Sequence, residues 1–171
     1  KIMTEFKFPS EEIELPSKGL VYSKENPLSS GKIELKYMTA KEEDILTNQS
    51  YIEKGTVIDK LLKSLIVTKI DYNDLIVGDK NAIMVAARVL GYGGDYKFIY
   101  DNEEYNVDLG LIENKEIDET LFIQGKNDFS FTLPHTEVNI TFKLFTHGDE
   151  IKVKQELEGL KRLNKEANPE L

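Results

Sequence analysis

The strongest constraint on the fold is a helical pattern of apolar residues within residues 55–94. In the first half, GTVIDKLLKSLIV, the apolar side chains recur at helical spacing on one face, namely Ile58, Leu61, Leu62, Leu65 and Ile66. The second half, GDKNAIMVAARVLGYGG, is apolar almost all round, so we expect a central helix packed on more than one side. Thr56 and Asp79 are placed to cap the two helices. The pattern predicts a hairpin of two central helices that forms the core.

The first 31 residues predict an extended N-terminal arm with little helix. They contain three of the five prolines and many other turn-forming residues. Apolar side chains, among them Leu15, Leu20 and Tyr22, recur too often for a disordered tail, so the arm is expected to lie along a surface. That surface belongs either to its own domain or to a partner, and in the second case these three residues are predicted contacts.

Residues 32–148 predict a single α+β domain. KIELKYM alternates like a half-buried strand, and the helix that follows it starts with a capping box formed by Thr39 and Glu42. After residue 94 the apolar residues recur at every second position, as in a strand. YKFIY and YNVDL predict a hairpin around the four-residue turn DNEE, and FSFTLP and VNITFKLF predict a second hairpin around residues 134–137. Residues 121–123 are a candidate for one more strand.

Residues 149–171 predict an amphipathic C-terminal helix capped by Asp149. Its apolar stripe, which includes Leu157 and Leu160, is narrow, and the rest of its surface is charged. A narrow stripe packs against one neighbour, either the chain's own sheet or a helix of another protein. We expect this helix to be cut short at residue 171. The predicted fold class is therefore α+β, with small antiparallel β-hairpins added to the helical core.

The charge of the chain bears on its partners. Acidic residues outnumber basic residues by 31 to 22, so the net charge is -9 and attraction to a phosphate backbone is disfavoured. No apolar run approaches the roughly 20 residues of a membrane-spanning helix. We therefore expect neither nucleic acid nor a membrane among the partners.

The sequence contains only weak candidates for chemistry. His135 and His147 are the two histidines, cysteine is absent and no HExxH spacing occurs, so both imidazoles are expected in solvent rather than in a catalytic or zinc site. The acidic cluster at residues 71–79 lacks the glycine and the terminal glutamate of a calcium-binding EF-hand loop. We predict no catalytic, cofactor-binding or metal-binding residue, and no enzymatic activity. The alternative, a small-molecule enzyme, would need a pocket with perturbed carboxylates.

Three stretches, in their order along the chain, resemble the T4-type bacteriophage baseplate family, and within it the proteins that assemble the baseplate hub. They are LPSKGLVYSKENPLSSGKIELKYMTAKEEDIL, then KGTVIDKLLKSLIV with DLIVGDKNAIMVAARVLGYGGDYKF, then FSFTLP with ITFKLFTHGDE. Relatives in this family carry a CxxC pair in the hairpin after the YGGDY run, where this chain has DNEE at residues 101–104. The resemblance therefore implies no metal requirement here. The hairpin is expected to be held by cross-strand pairs among Phe98, Tyr100, Tyr105 and Val107.

The resemblance implies a non-enzymatic role in building the central hub of a contractile phage tail. In the favoured interpretation the protein is an assembly chaperone that acts in the host cytoplasm, binds hub or tape-measure proteins and leaves. In the alternative it is a structural subunit retained in the virion baseplate. The oligomeric state is left open. The predicted contacts lie in the two flanks of the chain, at Leu15, Leu20, Tyr22, Leu157 and Leu160.

Overall fold

The computed structural model describes residues 9–163, which have an α+β fold. The helices are α1 (Ala40–Leu46), α2 (Gln49–Glu53), α3 (Val57–Leu65), α4 (Val77–Tyr92) and α5 (His147–Leu163). The strands are β1 (Ser10–Glu14), β2 (Lys32–Lys36), β3 (Asp95–Tyr100), β4 (Glu103–Asp108), β5 (Phe129–Thr132) and β6 (Asn139–Phe142). They form three separate antiparallel pairs, β1 with β2, β3 with β4 and β5 with β6.

The hydrophobic core extends well beyond the two helices of the central pattern. Every buried hydrophobic side chain in the described part of the chain lies between Leu15 and Ala87. The N-terminal segment, defined here as residues 10–31, contributes Leu15, Tyr22 and Leu28 to this core. This segment consists of β1, turns and one 3-10 helix, and it packs on its own domain, the first of the two alternatives for the arm. The core is therefore continuous across the predicted domain boundary at residue 31, and residues 1–8 of the arm lie outside the described residues.

Two backbone turns inside the N-terminal segment lie in direct contact. Gly19 has a φ of 77°, and a Cβ on it would lie 2.5 Å from the carbonyl oxygen of Ser29. Gly31 has a φ of 72°, and its Cβ would lie 2.8 Å from the carbonyl oxygen of Lys18. Both positions need glycine, because other residues would meet backbone atoms and adopt a strained left-handed conformation. The glycines of PSKGL and SSGK thus close the segment into a compact unit.

Helix α3 confirms the predicted apolar face at its three leucines, whereas Ile58 is 38% exposed and Ile66 lies just after the helix end. Leu61, Leu62 and Leu65 are buried, and the helix contacts both α1 and α4. Its expected cap is not formed, because the side chain of Thr56 makes no capping hydrogen bond. The helix is therefore held by the packing of its apolar face rather than by its N-terminus.

Helix α4 differs from the prediction in its start and in its burial. It begins at Val77, so Asp79 lies within its first turn and does not act as the N-cap. Its buried stripe consists of Asp79, Ile83 and Ala87, while Met84 and Tyr92 are 40% and 54% exposed and the other apolar residues are half-buried. The helix contacts both α3 and the 3-10 helix Leu109–Leu111, but it is less covered than expected, because one outer face remains open to solvent.

Helix α1 begins with the predicted capping box, in which Glu42 accepts hydrogen bonds from the backbone and hydroxyl of Thr39. The Glu42 carboxylate is also fully buried, and it accepts from Lys36 Nζ at 2.8 Å and Ser64 Oγ at 2.6 Å. Burial alone would raise the pKa of Glu42, but these donors outweigh it and lower the pKa to about 2. The capping residue therefore also joins β2, α1 and α3.

The β3–β4 hairpin has a shorter turn than predicted. Asp101 and Asn102 connect the strands with φ values of 51° and 63°, as in a two-residue type I′ turn, so the glutamates of DNEE belong to β4. Phe98 lies opposite Tyr105, and their rings stack with centroids 5.5 Å apart. The predicted cross-strand aromatic pairing is confirmed.

The β5–β6 hairpin is confirmed, and it is closed by backbone hydrogen bonds between Leu133 and Val138 and between Glu137 and Leu133. No strand forms at residues 121–123, where the structure has the end of a 3-10 helix, Glu119–Leu121. This connection reaches the N-terminal segment, since the Gly125 N–H donates to the carbonyl of Leu20 at 2.8 Å.

Candidate functional site

A buried carboxylate joins the N-terminal segment to the start of α4. Asp79 is fully buried and accepts hydrogen bonds from the backbone N–H of Ser17 at 3.0 Å, from Ser17 Oγ at 2.7 Å and from the Tyr22 hydroxyl at 2.6 Å. The Tyr22 oxygen in turn accepts from the Ile76 N–H at 3.1 Å. We call these four residues the Asp79 network.

The Asp79 network supports structure rather than chemistry. Burial, and then the Asp79 charge, raise the pKa of Tyr22, so this phenol stays protonated and serves as a donor. The first turn of α4 adds the positive end of a helix dipole, which stabilises the carboxylate. Ser17 faces a carboxylate in this network and no imidazole, so a nucleophile activated by histidine is not assembled here. The network fastens residues 17–22 to α4.

A second polar cluster lies where α5 meets α3 and α4. The Nδ1 atom of His147 is 3.4 Å from Lys80 Nζ, 3.4 Å from Glu150 Oε2 and 3.9 Å from Asp59 Oδ1. Lys80 also forms an ion pair with Glu150, and the Tyr72 hydroxyl donates to Asp59 at 3.0 Å. Burial, and then the Asp59 charge, raise the pKa of Tyr72. The cluster therefore ties the first turn of α5 to the core.

His147 is buried, with 4% of its surface exposed, so the prediction that it is a solvated loop residue is wrong. It is the first residue of α5, its backbone N–H donates to Leu75 at 2.7 Å, and its ring contacts Tyr72 edge-on with centroids 4.7 Å apart. The predicted cap shifts accordingly, because Thr146 and Asp149 exchange hydrogen bonds through their side chains and backbone N–H groups. Asp149 is therefore inside α5 rather than before it.

The polar cluster opens into a groove of about 550 Å³ between α3 and α5. Lysines from both helices line it, at Lys60, Lys63 and Lys154, together with acidic side chains such as Glu158. Among the described residues that line this groove, the only hydroxyl group belongs to Thr56. Residues 9–163 contain no group of three histidine, aspartate or glutamate side chains placed to hold a metal ion. The groove thus presents side chains of both charges to solvent.

The Asp79 network and the polar cluster around His147 bring together the three stretches on which the resemblance to the baseplate family was based. Ser17 and Tyr22 come from the first stretch, Asp79 and Lys80 from the second, and His147 from the third. Each stretch contributes a polar residue that is buried against another. These buried polar residues therefore have a structural role in this chain.

The predicted contact residues are distributed between the core and the surface. Leu15 and Tyr22 are buried in the protein's own core, with 1% and 5% of their surfaces exposed, and Leu20 is half-buried beside them. On α5, Leu157 is half-buried and Leu160 is 54% exposed. In this conformation Leu157 and Leu160 remain accessible to a partner, whereas Leu15 and Tyr22 are inaccessible.

Most of the exposed large hydrophobic side chains among the described residues lie in a region that the sequence did not predict as a contact surface. We call residues 94–145 the peripheral region. Its large hydrophobic side chains are exposed along both hairpins and their connections, and they include Tyr96, Phe98, Ile99, Tyr100, Tyr105, Val107, Leu111, Ile112, Leu121, Ile123, Phe131, Val138, Ile140, Phe142, Leu144 and Phe145. Apolar exposure on this scale is characteristic of interaction surfaces. The sequence signal for this surface was the alternation of apolar and polar residues in FSFT and NITF. This alternation places the apolar side chains on one face of the hairpin, which then requires a cover.

Comparison with known proteins identifies no relative. No family model matches the chain, and neither a curated protein nor a solved structure is significantly similar to it. None of the helices within residues 9–163 combines the length and the apolar character needed to cross a membrane.

Proposed function

We propose that this protein is a non-enzymatic assembly factor for the central hub of a contractile phage tail, and that it acts by binding other hub or tape-measure proteins. The class of partner comes from the resemblance of the three stretches to the baseplate family. The binding role is supported by one structural observation, the exposed apolar faces of the peripheral region.

The β5–β6 hairpin illustrates this observation. Phe131 and Ile140 lie directly opposite each other on one face and are 53% and 38% exposed. Ser130 and Thr141 occupy the other face, which is polar. Phe129, at one end of this apolar face, packs against Phe122 and the core, whereas the end with Phe131 and Ile140 is open. A two-stranded hairpin gains stability when its apolar face is covered, so this open end favours a protein cover. A partner that binds there would stabilise the hairpin as it forms the complex.

The alternative within the same class is a structural subunit that remains in the baseplate. The favoured chaperone role requires reversible binding, and the high acidic charge of the chain suits a protein that must separate from its partner. Both functions use the same surface, and they differ in whether the protein is found in finished tails. Host cytoplasm is the expected location for the first role and the virion for the second.

Co-expression with hub and tape-measure proteins of a T4-type phage, followed by size-exclusion chromatography, tests the proposal. We expect one of these proteins to co-elute with the chain. The double substitution Phe131→Ser with Ile140→Ser should remove at least about half of the retained partner, because buried apolar anchors dominate interfaces. The matched control, Ser130→Ala with Thr141→Ser on the opposite face, should retain it.

The absence of co-elution with every hub and tape-measure protein would contradict the assembly role. Where a complex forms, immunoblotting of purified tails separates the two versions. Protein that is present during assembly and absent from tails supports the chaperone, and protein that remains supports the structural subunit.

A further inference from the structure

The β3–β4 hairpin presents an aromatic face that the rest of the described chain leaves exposed. The strand register determines which side chains share this face. Tyr96 pairs with Val107 and Phe98 with Tyr105, and Tyr100 lies on the same face because it is two residues beyond Phe98. We call these five residues the aromatic face. Their exposed fractions run from 38% for Phe98 to 71% for Tyr100.

The rings of the aromatic face form a continuous row. Tyr96 lies 5.9 Å from Phe98, Phe98 lies 5.5 Å from Tyr105, and Tyr105 lies 6.4 Å from Tyr100, measured between ring centroids. These contacts orient the rings, together with Arg88 of α4, whose guanidinium lies 5.9 Å from the Tyr96 ring centroid. Tyrosine and phenylalanine held in place in this way are typical anchors of protein interfaces, because little side-chain entropy is lost when a partner covers them.

The charges beside the tip of the aromatic face are negative. Glu103 lies on the face itself and accepts a hydrogen bond from the Tyr105 hydroxyl at 3.1 Å, and Asp101 lies at the tip. Asp95, Lys97 and Asp108 lie on the opposite face by strand alternation. At the base, the guanidinium of Arg88 lies over the Tyr96 ring, so these rings accept a cation on their faces. A partner with lysine or arginine beside its apolar residues therefore matches the tip half of this surface in charge as well as in chemistry.

The dimensions of the aromatic face select the shape of the partner. Strands of six residues extend about 20 Å, and two strands with their side chains are about as wide as one helix of 10–12 Å diameter. A helix of about 13 residues covers this length. We propose that the aromatic face is a docking site for one basic amphipathic helix of a partner protein. This inference rests on the proposed assembly role for the class of ligand, a protein.

A synthetic peptide probe tests the docking site. The probe is a basic amphipathic helix of about 14 residues with leucines on one face and lysines on the other. Its control has the same composition in a scrambled order. We expect the probe to bind with amide chemical-shift changes concentrated in residues 95–108, to weaken as salt rises from about 50 to about 300 mM, and to outcompete the scrambled peptide.

Substitutions on the two faces of the hairpin provide the matched comparison. Phe98→Ser with Tyr100→Ser should weaken probe binding by at least about tenfold. Ile99→Ser, which alters the most exposed side chain of the opposite face, should change the affinity by less than about twofold. Glu103→Gln keeps every aromatic ring and should weaken binding about threefold, so the test does not depend on how well the serine variant forms its hairpin. Glu104→Gln, on the opposite face, should change the affinity by less than about twofold.

Equal binding of the scrambled peptide, shift changes outside residues 95–108, or an equal loss in Ile99→Ser would overturn the docking site. Protection of outward-facing edge amides of β3 or β4 would indicate strand addition and would overturn the helical partner. Hub proteins that co-elute undiminished with the Phe98→Ser, Tyr100→Ser variant contradict the docking site and leave the assembly role standing. Probe binding on the aromatic face without any hub complex supports the docking site and contradicts the assembly role.

Discussion

Residues 15–87 and the peripheral region are both rich in apolar residues and use them in opposite ways. All buried hydrophobic side chains of the described residues lie between Leu15 and Ala87 in one core, and the buried polar groups among them are hydrogen-bonded. In residues 94–145 the aromatic and aliphatic side chains are largely exposed on two separate hairpins. The first region thus stabilises its own fold, and the second leaves its apolar surface available to a partner. Four predictions test this difference.

The largest expected effect compares a leucine of the N-terminal segment with an isoleucine of the hairpin. Leu28 is fully buried, whereas Ile99 is 76% exposed. Leu28→Ala should lower the free energy of unfolding by about 3 kcal/mol through lost burial and a residual cavity, and Ile99→Ala should lower it by less than about 0.5 kcal/mol. Urea unfolding measures both. A similar loss for Ile99 would place the hairpin within the cooperative core and remove the contrast.

The next effect concerns the Asp79 network. Tyr22→Phe removes the hydroxyl that donates to Asp79 and accepts from the Ile76 N–H. Because both partners then stay buried without this bond, we expect a loss of about 2 kcal/mol. Tyr100→Phe, at a ring that is 71% exposed, is the matched control and should be neutral within about 0.3 kcal/mol. Thermal melts that did not distinguish the two variants would show that the network is not important for stability.

The third prediction concerns acid. The hydrogen bonds to Glu42 lower its pKa from an ordinary value of 4.5 to about 2. The stability that ionised Glu42 adds to the folded state is therefore complete when the pH is above the ordinary pKa, and it is lost as the pH falls toward 2. We expect on the order of 2 kcal/mol to be lost across this window, after allowance for solvent screening. Glu42→Gln should lack this component, so the stability difference between the two proteins should narrow on acidification. A constant difference in urea unfolding from about pH 5 to about pH 2.5 would contradict the prediction.

The smallest expected effect lies in the turn of the β3–β4 hairpin. Asn102 has a φ of 63°, a conformation in which glycine is favoured at the second position of a type I′ turn. Asn102→Gly should therefore slow amide hydrogen exchange in β3 and β4 by a factor that corresponds to about 0.5 kcal/mol. Global stability should change little, because the hairpin lies outside the core. An equal rise in global stability would show that the two regions unfold together.

Local patterns in the sequence were sufficient for several elements. The apolar spacing of Leu61, Leu62 and Leu65 predicted α3, and Thr39 with Glu42 predicted the start of α1. Period-2 alternation predicted both hairpins of the peripheral region. These predictions succeeded because each depends on residues that are close together in the chain.

Predictions that depended on distant contacts were less successful. The sequence left open whether Leu15 and Tyr22 would pack on their own domain or on a partner, and the structure buries both in the core, where the Tyr22 hydroxyl donates to Asp79 of α4. His147 was expected in solvent, and it is buried against Tyr72 and Leu75. Asp79 has the sequence signature of a helix cap whether its carboxylate is solvated or buried among hydrogen-bond donors. No local pattern therefore separates the two cases.

The sequence by itself therefore determined the α+β class, the apolar face of α3, the capping box of α1 and the two hairpins of the peripheral region. The tertiary structure decided which apolar residues form the core and which remain exposed. The reason is that burial depends on neighbours many residues away, as the separation of Ser17 from Asp79 illustrates, whereas helical and strand periodicity are properties of a single segment.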